Sequence, residues 1–286
     1  MIRPLIRQKV RWLTGLAVLL LTHGIMIGQA AGVIVEPEPY GACNSDADDY
    51  APIVDVDGAS IVFTSERSGI AQIYQCRGQE APQRISGSLN QSGEACAFAS
   101  FRPDGEGFAA VYASHHDQSY ASIVAITRSK ASLDRGLPLV TTNGRFFTSH
   151  PSISPDGTRL VYVSDRPGGS GGLDLWMIER QLDGTWSVPS LVAEALSSPG
   201  DEITPVLIAS DTLLFASDGM GGRGGFDVYQ TVYRNGRWDD PVPIDAINTA
   251  YDESDARTLP DGSMIYATNR PGGQGGLDLW VWKQGP

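Results

Sequence analysis

The chain has 286 residues, of which 41% are hydrophobic and 19% are charged. Its 33 glycines and 18 prolines exceed the combined share of roughly 12% that is typical of soluble proteins, which indicates many turns and argues against a helix bundle. The hydrophobic fraction is too high for a disordered chain, and three cysteines are too few for a disulfide-rich scaffold. The net charge of -12 makes nucleic acid a poor partner.

Residues 1–30 are predicted to be an export signal. A basic segment without acids precedes an apolar run over 12–28, and small residues at Gly28 and Ala30 suit cleavage after Ala30. The run is short for a stable membrane span, which takes about 20 residues, and an uncleaved anchor stays as the alternative. The sequence therefore predicts a periplasmic or secreted protein with no membrane span in its mature chain.

Three cysteines follow the signal, and an oxidising compartment permits them to form disulfides. Because the count is odd, at most one intramolecular bridge forms. A Cys76–Cys96 bridge would close a loop of about 20 residues and stabilise the fold by about 3 kcal/mol. Cys43–Cys96 is the competing pair. The spacing of the cysteines gives no metal or redox motif, so we expect structural cysteines.

The rest of the chain is an internal repeat. Each clear copy has a turn, an apolar strand, a glycine-rich loop and a second apolar strand that begins with Asp. The aligned positions near the end of that second strand lie 50 to 53 residues apart, at Tyr74, Val124, Trp176, Tyr229 and Trp280. A period near 50 is that of a propeller blade, whereas leucine-rich and helical repeats are shorter.

The strand count within one unit agrees with this interpretation. In the third unit, strands are predicted over 150–154, 158–164, 174–180 and 186–193, separated by turns and by the glycine-rich loop. Four antiparallel strands that repeat around an axis make a propeller, which leaves few exposed sheet edges. The units are expected at about 45–95, 96–147, 148–200, 201–251 and 252–286.

The fifth unit ends after its third strand, so the ring needs a strand from elsewhere. The apolar segment over 32–36 precedes the first unit and is predicted to complete the last blade. The predicted fold of residues 31–286 is therefore all-β: a five-bladed β-propeller of four-stranded antiparallel blades, closed by an N-terminal strand.

The repeated pattern, S-P-D-G, then L-V-Y-x-S-D-R-P-G-G, then G-G-L-D-L-W, resembles the WD-like (PDG-type) propeller repeat of TolB. It is closer still to the propeller modules of bacterial envelope proteins related to OmpA and peptidoglycan-associated proteins. The resemblance covers residues 45–286. It implies a platform that binds an envelope protein or a cell-wall glycan, and we expect a monomer without a cofactor.

The glycine-rich loops are each followed by an Asp, in a pattern similar to a calcium-binding nonapeptide. They recur about every 50 residues instead of in tandem, so adjacent turns cannot complete a calcium site. No metal is predicted. The three acids are expected to accept hydrogen bonds from loop amides and fix the loop shape: Asp174, Asp227 and Asp278.

More acids lie just before the predicted first strands. In a propeller these connections share one face with the glycine-rich loops, around the mouth of the central channel. The acids are Asp48, Asp49, Glu94, Asp201, Glu202, Asp252 and Glu253, and the neighbouring loop arginines are Arg166, Arg223 and Arg270. Two interpretations stay open: each acid binds turn amides of its own blade, or the acids form a negative ring that binds a basic partner or a cation.

An enzyme is the alternative function. Five-bladed propellers also serve as glycosidases, in which central carboxylates act as acid and base. The chain has enough carboxylates but no glycosidase motif. Its loops repeat almost unchanged, whereas an active site needs a different contribution from each blade. The sequence thus favours a non-catalytic binding or scaffold propeller, with a carbohydrate-active propeller as the alternative.

Overall fold

The computed structural model describes residues 36–91, 93–115, 118–140, 142 and 146–283. They form five antiparallel sheets, each the blade of a ring, with almost no helix. The innermost strands of successive blades contact one another, and those of the last and first blades also meet. The predicted all-β, five-bladed propeller is therefore confirmed. The export signal predicted over 1–30 lies outside the described residues.

The first three blades follow in chain order, from the inner strand outwards. The first contains β2 (Asp49–Val54), β3 (Ile61–Ser65), β4 (Gln72–Cys76) and β5 (Gln83–Arg84). The second contains β6 (Ala95–Phe101), β7 (Glu106–His115), β8 (Gln118–Arg128) and β9 (Leu133–Pro138). The third contains β10 (Thr148–Ile153), β11 (Arg159–Ser164), β12 (Asp174–Glu179) and β13 (Ser190–Leu191).

The fourth and fifth blades differ from this order at their outer edges. The fourth contains β14 (Glu202–Ala209), β15 (Thr212–Ser217) and β16 (Asp227–Arg234), and two short strands, β17 (Arg237–Trp238) and β18 (Val242–Pro243), both pair with β16. The fifth contains β19 (Glu253–Thr258), β20 (Met264–Thr268), β21 (Asp278–Trp282) and β1 (Glu38–Pro39). The described helices are α1 (Ser88–Gln91) and 3-10 turns at Gly41–Cys43 and Glu194–Leu196, and none is long and apolar enough to cross a bilayer.

Ring closure uses a different segment from the one predicted. Glu38 and Pro39 pair with Val281 and Trp280, so an N-terminal strand does complete the fifth blade. The apolar segment predicted for this role over 32–36 lies, except for its last residue, outside the described residues. The prediction relied on apolar character, but the outermost strand faces solvent. Both residues of β1 are exposed, as are those of β5, so hydrophobicity does not mark this strand.

Apolar cores lie between neighbouring blades. Val62 and Ile73 of the first blade and Val111 and Val124 of the second belong to one such core, and similar clusters join the later blades. Each blade buries apolar side chains on both faces of its sheet, because both faces meet another blade. Burial of this surface, at about 25 cal/mol per Å², holds the ring together.

The disulfide prediction was wrong. The structure joins Cys43 to Cys76, with 5.8 Å between their Cα atoms, and leaves Cys96 reduced and buried. Neither predicted pair forms, because Cys96 lies on the inner strand β6 and its thiol donates to Oδ1 of Asn90 at 3.1 Å within the core. Burial raises the pKa of the Cys96 thiol to about 12. The bridge ties the turn that follows β1 to the first blade.

Each inner strand contains a β-bulge at its middle. The bulge residue has a φ of 49° to 55°, although none of the five is glycine. A non-glycine residue in this left-handed region is strained by about 1–2 kcal/mol, so the surrounding pairing holds each of them in place. The five residues come one from each blade and line the central channel: Ala51, Phe98, His150, Thr204 and Asp255.

Candidate binding face and central channel

Three of the predicted site acids are the first residues of inner strands. Asp49, Glu202 and Glu253 begin β2, β14 and β19, and all three are fully buried. Glu202 accepts hydrogen bonds from the amide of Ser198 at 3.0 Å and from the hydroxyl of Ser217 at 2.8 Å. The other two acids bind the equivalent amides in their own connections. The structure thus places these carboxylates inside their blades and not on an open ring.

Burial dominates the electrostatics of the two glutamates, Glu202 and Glu253. It raises the pKa of Glu202 to about 7 and raises the pKa of Glu253 as well. Hydrogen bonds from hydroxyls and amides oppose the shift at both, and at Glu253 the guanidinium of Arg270 opposes it too. The two glutamates at the starts of β14 and β19 are therefore held in sites where their charge needs compensation.

The acids that immediately precede them join one blade to the next. Asp48, Asp201 and Asp252 each accept a hydrogen bond from the last amide of the glycine-rich loop of the preceding blade. The donors are Leu277, Leu173 and Phe226, at 3.0, 2.8 and 3.1 Å. These carboxylates therefore fix the loops against the following blade.

Glu94 does not join this pattern. Its carboxylate pairs with Arg135 on the outer strand of the second blade, and both side chains are about one-third exposed. In that blade the inner strand begins with Ala95 instead of an acid. The blade also lacks a glycine-rich loop, since β7 pairs with β8 as far as His115 and Gln118.

Two of the predicted arginines lie across aromatic rings of their own blades. Arg166 donates to the carbonyl of Thr142 and Arg270 to that of Ile247, both at 2.8 Å. Arg270 also approaches Oε1 of Glu253 at 3.4 Å. The guanidinium carbons lie 5.0 to 5.4 Å from the ring centres of Trp176 and Tyr162, or of Trp280 and Tyr266. These distances are those of cation–π contacts.

Arg67 is a third arginine of this kind, and it was not among the predicted site residues. It lies 5.0 Å from the ring centre of Tyr74 and pairs with Asp49 at 2.8 Å. The signal was available in the sequence, because Ser65-Glu66-Arg67 aligns with Ser164-Asp165-Arg166. Arg223 differs from all of these: it is 57% exposed and pairs with Asp245 at 3.0 Å.

The loop acids bind the loops that precede them. Asp174 accepts a hydrogen bond from the amide of Ser170 at 3.1 Å, and Asp227 from that of Gly224 at 3.0 Å. Asp278 accepts two such bonds. Within the described part of the chain no group of three or more His, Cys, Asp or Glu side chains is arranged to hold a metal ion.

Asparagines that the sequence reasoning missed bridge the blades. The side-chain amide of Asn248 binds both backbone groups of Val228, at 2.8 and 2.9 Å. Asn44 and Asn90 make the same pair of bonds to the third strands of their preceding blades. Each Asn lies five residues before the first residue of an inner strand, and this spacing recurs visibly in the sequence.

The central channel is nearly closed at its middle and widens, at the ends of the five inner strands, into a pocket of about 540 Å³. A cavity of about 20 Å³ remains between the bulge residues and the prolines that follow three of them. The rings of Phe98 and His150 have centres 3.7 Å apart and fill one side. Burial lowers the pKa of His150 to about 3, so its imidazole is neutral. Burial raises the pKa of Asp255 to about 7, against the opposing effects of Ser254 and Arg257.

No family model and no curated protein matches the sequence. Solved structures match the fold. The chain is similar to an endo-arabinase from Bacteroides thetaiotaomicron (TM-score 0.54, 14% identity, covering 86% of this chain and 98% of that one). It is similar to the GH43 endo-arabinanase from Bacillus licheniformis (TM-score 0.53, 11% identity, 86% and 95%). It is also similar to TolB from Acinetobacter baumannii (TM-score 0.50, 19% identity, 84% and 55%), so it spans about half of that chain. At these identities the similarity concerns the propeller fold alone.

Proposed function

We propose that this protein is a non-catalytic binding propeller of the bacterial envelope. Its binding surface is the loop face, which we define as the glycine-rich loops of the third, fourth and fifth blades with the connections that lead into their inner strands. The partner is an envelope protein or a cell-wall glycan. The predicted export signal and the resemblance of the repeat to envelope propellers support this assignment, and the Cys43–Cys76 bridge suits an oxidising compartment.

The observation that carries the proposal is the closure of the channel at its middle, between the bulge residues. Ligand-binding clefts have volumes of roughly 300–1,000 Å³, far above the cavity of about 20 Å³ between the bulge residues. Beyond them the channel widens into a pocket of about 540 Å³, which lies on the face opposite the loop face. The repeated acids around the channel are also occupied by hydrogen bonds that hold the blades. On the loop face a partner is therefore more readily bound on the outer surface of the loops than at the axis.

A carbohydrate-active propeller is the second candidate, and the fold shared with the two arabinan-degrading enzymes favours it. Glycoside hydrolysis takes a pair of carboxylates about 5–9.5 Å apart on either side of the scissile bond. Among the described residues that line the central cavity, Asp255 supplies the single carboxylate. The pocket at the other end of the channel adds Asp55, but that carboxylate is paired with Arg128. The channel thus gives less support to catalysis than to binding.

The test compares the two faces of the ring. The glycine-rich loops carry exposed residues at their tips, and a triple variant, Ser170→Glu, Arg223→Glu and Gln274→Glu, changes the loop face without removing a blade-joining acid. Lys130→Glu with Arg237→Glu, on exposed turns of the opposite face, is the matched control. We expect cross-linking in envelope extract, followed by mass spectrometry, to recover one partner or peptidoglycan with wild type and control but not with the triple variant.

The same preparations separate the two candidate functions. They are incubated with arabinan and with cell-wall glycans, and released reducing ends are measured. We expect no release. Sugar release by the wild type that Asp255→Asn abolishes would establish the carbohydrate-active alternative. Equal recovery of the partner by the loop-face and control variants would move the binding surface elsewhere.

A further inference from the structure

An arginine fills the same place in three blades. We call this place the arginine slot: it lies over the aromatic rings of the second and third strands, beside the connection into the inner strand. Arg67, Arg166 and Arg270 fill it in the first, third and fifth blades. In the first and fifth blades the guanidinium also pairs with the acid that begins the inner strand.

The fourth blade keeps the acid but has no arginine in the slot. Gly219 stands where the sequence alignment places Arg166 and Arg270. A Cβ at Gly219 would lie 2.0 Å from Oγ of Ser198, so no side chain fits there. Glu202 is bound by hydroxyl and amide groups, and no Lys or Arg of the described residues pairs with it. A buried carboxylate without a cation costs more than a paired one, because no opposite charge offsets its desolvation.

A pocket of about 460 Å³ opens on the loop face of this blade, within the size range of ligand sites. Ser198, whose hydroxyl donates to Glu202, forms part of its wall. Tyr229, in the position of Trp280, forms another part, and the smaller ring leaves more room. Pro241 and Pro243 give the pocket an apolar side.

The pocket also contains a buried acceptor with no partner. Asp227 is 1% exposed and lines the pocket, and its Oδ1 atom has no hydrogen-bond partner. In the fifth blade Asp278 has the same unpartnered oxygen, although Arg270 packs over Trp280 two residues further along the strand. Arg223 does not fill the pocket of the fourth blade, because it is exposed at the rim and paired with Asp245.

We propose that the pocket of the fourth blade binds an arginine side chain of a partner protein, which lies over the ring of the third strand as the other blades' own arginines do. This inference rests on the proposed binding function and names the chemistry of the partner. The guanidinium stacks on Tyr229, as the other arginines do on their rings, and is bound by Asp227, a contact that is particular to this blade. Glu202 lies behind the Ser198 wall. The aliphatic part of the arginine packs against Pro241 and Pro243.

The probe is N-acetyl-arginine methylamide, titrated into the purified protein and followed by amide chemical shifts in NMR. A ligand of this size is expected to bind with a dissociation constant of roughly 1 mM. The citrulline analogue has the same shape without the charge and is expected to bind at least tenfold more weakly. Shifts are expected at Ser198, Gly221 and Tyr229.

Asp227→Asn is expected to weaken binding at least tenfold, because Asn keeps an oxygen for the Gly224 amide but has no charge. Asp278→Asn is the matched control: the same change at the equivalent residue of a blade whose slot is filled, expected to alter binding less than twofold. Thermal unfolding of both variants shows whether the fold is intact. Met220→Arg adds a guanidinium to the pocket wall and is expected to prevent binding.

Several outcomes would overturn the inference. They are a capped arginine that causes no shifts, citrulline binding as tightly as arginine, or equal weakening by Asp227→Asn and Asp278→Asn. The partner recovered from envelope extract gives an independent reading. If Asp227→Asn recovers it as well as wild type does, the arginine pocket is wrong while the binding function stands. If no partner is recovered at all, the binding function itself fails.

Discussion

The connections between blades and the central channel are built from equivalent positions, but they differ in how much the residues repeat. At the connections the same polar groups recur: Asn44 and Asn248 make the same bonds, and so do Asp201 and Asp252. In the channel the five bulge residues share a backbone conformation and nothing else, since Ala, Phe, His, Thr and Asp occupy the same place.

This difference separates the residues that hold the blades together, at the connections, from the residues that can vary without opening the ring, in the channel. The connections must satisfy buried amides and carbonyls in every blade, so a missing partner there leaves a buried polar group unpaired. The channel needs only to be filled, and any side chains that fit together can do so. The second and third blades have no acid at the start of the inner strand, whereas the fourth keeps its buried Glu202 without an arginine. This carboxylate without a cation is the strongest indication of a specific role.

Removing a connection carboxylate is expected to have the largest effect. Asp49→Ala takes away the partner of Arg67 and the acceptor of the Ser45 amide, so we expect a loss of about 3–5 kcal/mol in the free energy of unfolding. Glu94→Ala, which breaks a partly exposed pair, is expected to lose less than about 1 kcal/mol. Urea denaturation measures both. Similar losses for the two variants would show that the connections do not carry the stability assigned to them.

Asp255, the acidic bulge residue in the channel, is expected to make the free energy of unfolding depend on pH. Burial raises the pKa of Asp255 to about 7, whereas Asp in an unfolded chain has a pKa of about 4. Between these values the unfolded chain loses its proton first, so the fold becomes less stable as pH rises from about 4 to about 7, and the effect levels off above that. Glu202, with a pKa of about 7, contributes in the same direction.

Asp255→Asn removes the contribution of the channel acid. We expect the fall in unfolding free energy between pH 4 and pH 7 to shrink by about 1–3 kcal/mol, measured by urea denaturation at each pH. Glu202→Gln is the corresponding change at a connection and is expected to reduce the fall separately. An unchanged fall in Asp255→Asn would mean that water or Arg257 compensates the channel carboxylate more fully than its burial indicates.

The sequence predicted the blades well because strand and turn patterns are local and repeat five times. It failed where a contact joins distant segments without a local pattern. Cys43 meets Cys76 because ring closure brings the first turn beside the end of β4, and no spacing reveals that. The acids at the connections were found, but their burial was not. In the sequence, a carboxylate that binds the amides of a buried turn cannot be told from one on an open face, because the neighbouring blade decides which of them is buried.

The smallest expected effect concerns the backbone strain shared by the channel residues. Ala51 has a φ of 53° and is half-buried, so Ala51→Gly relieves strain and removes little packing. Because glycine also gains freedom in the unfolded chain, we expect a net stabilisation of about 0.5–1 kcal/mol, read from thermal and urea unfolding. Ala97→Gly, in the extended part of β6, is expected to destabilise by at least about 0.5 kcal/mol. Equal destabilisation by the two changes would show that the bulge is not strained. The bulge would then carry no backbone strain in any blade. The identity of each channel residue would depend on its side chain alone.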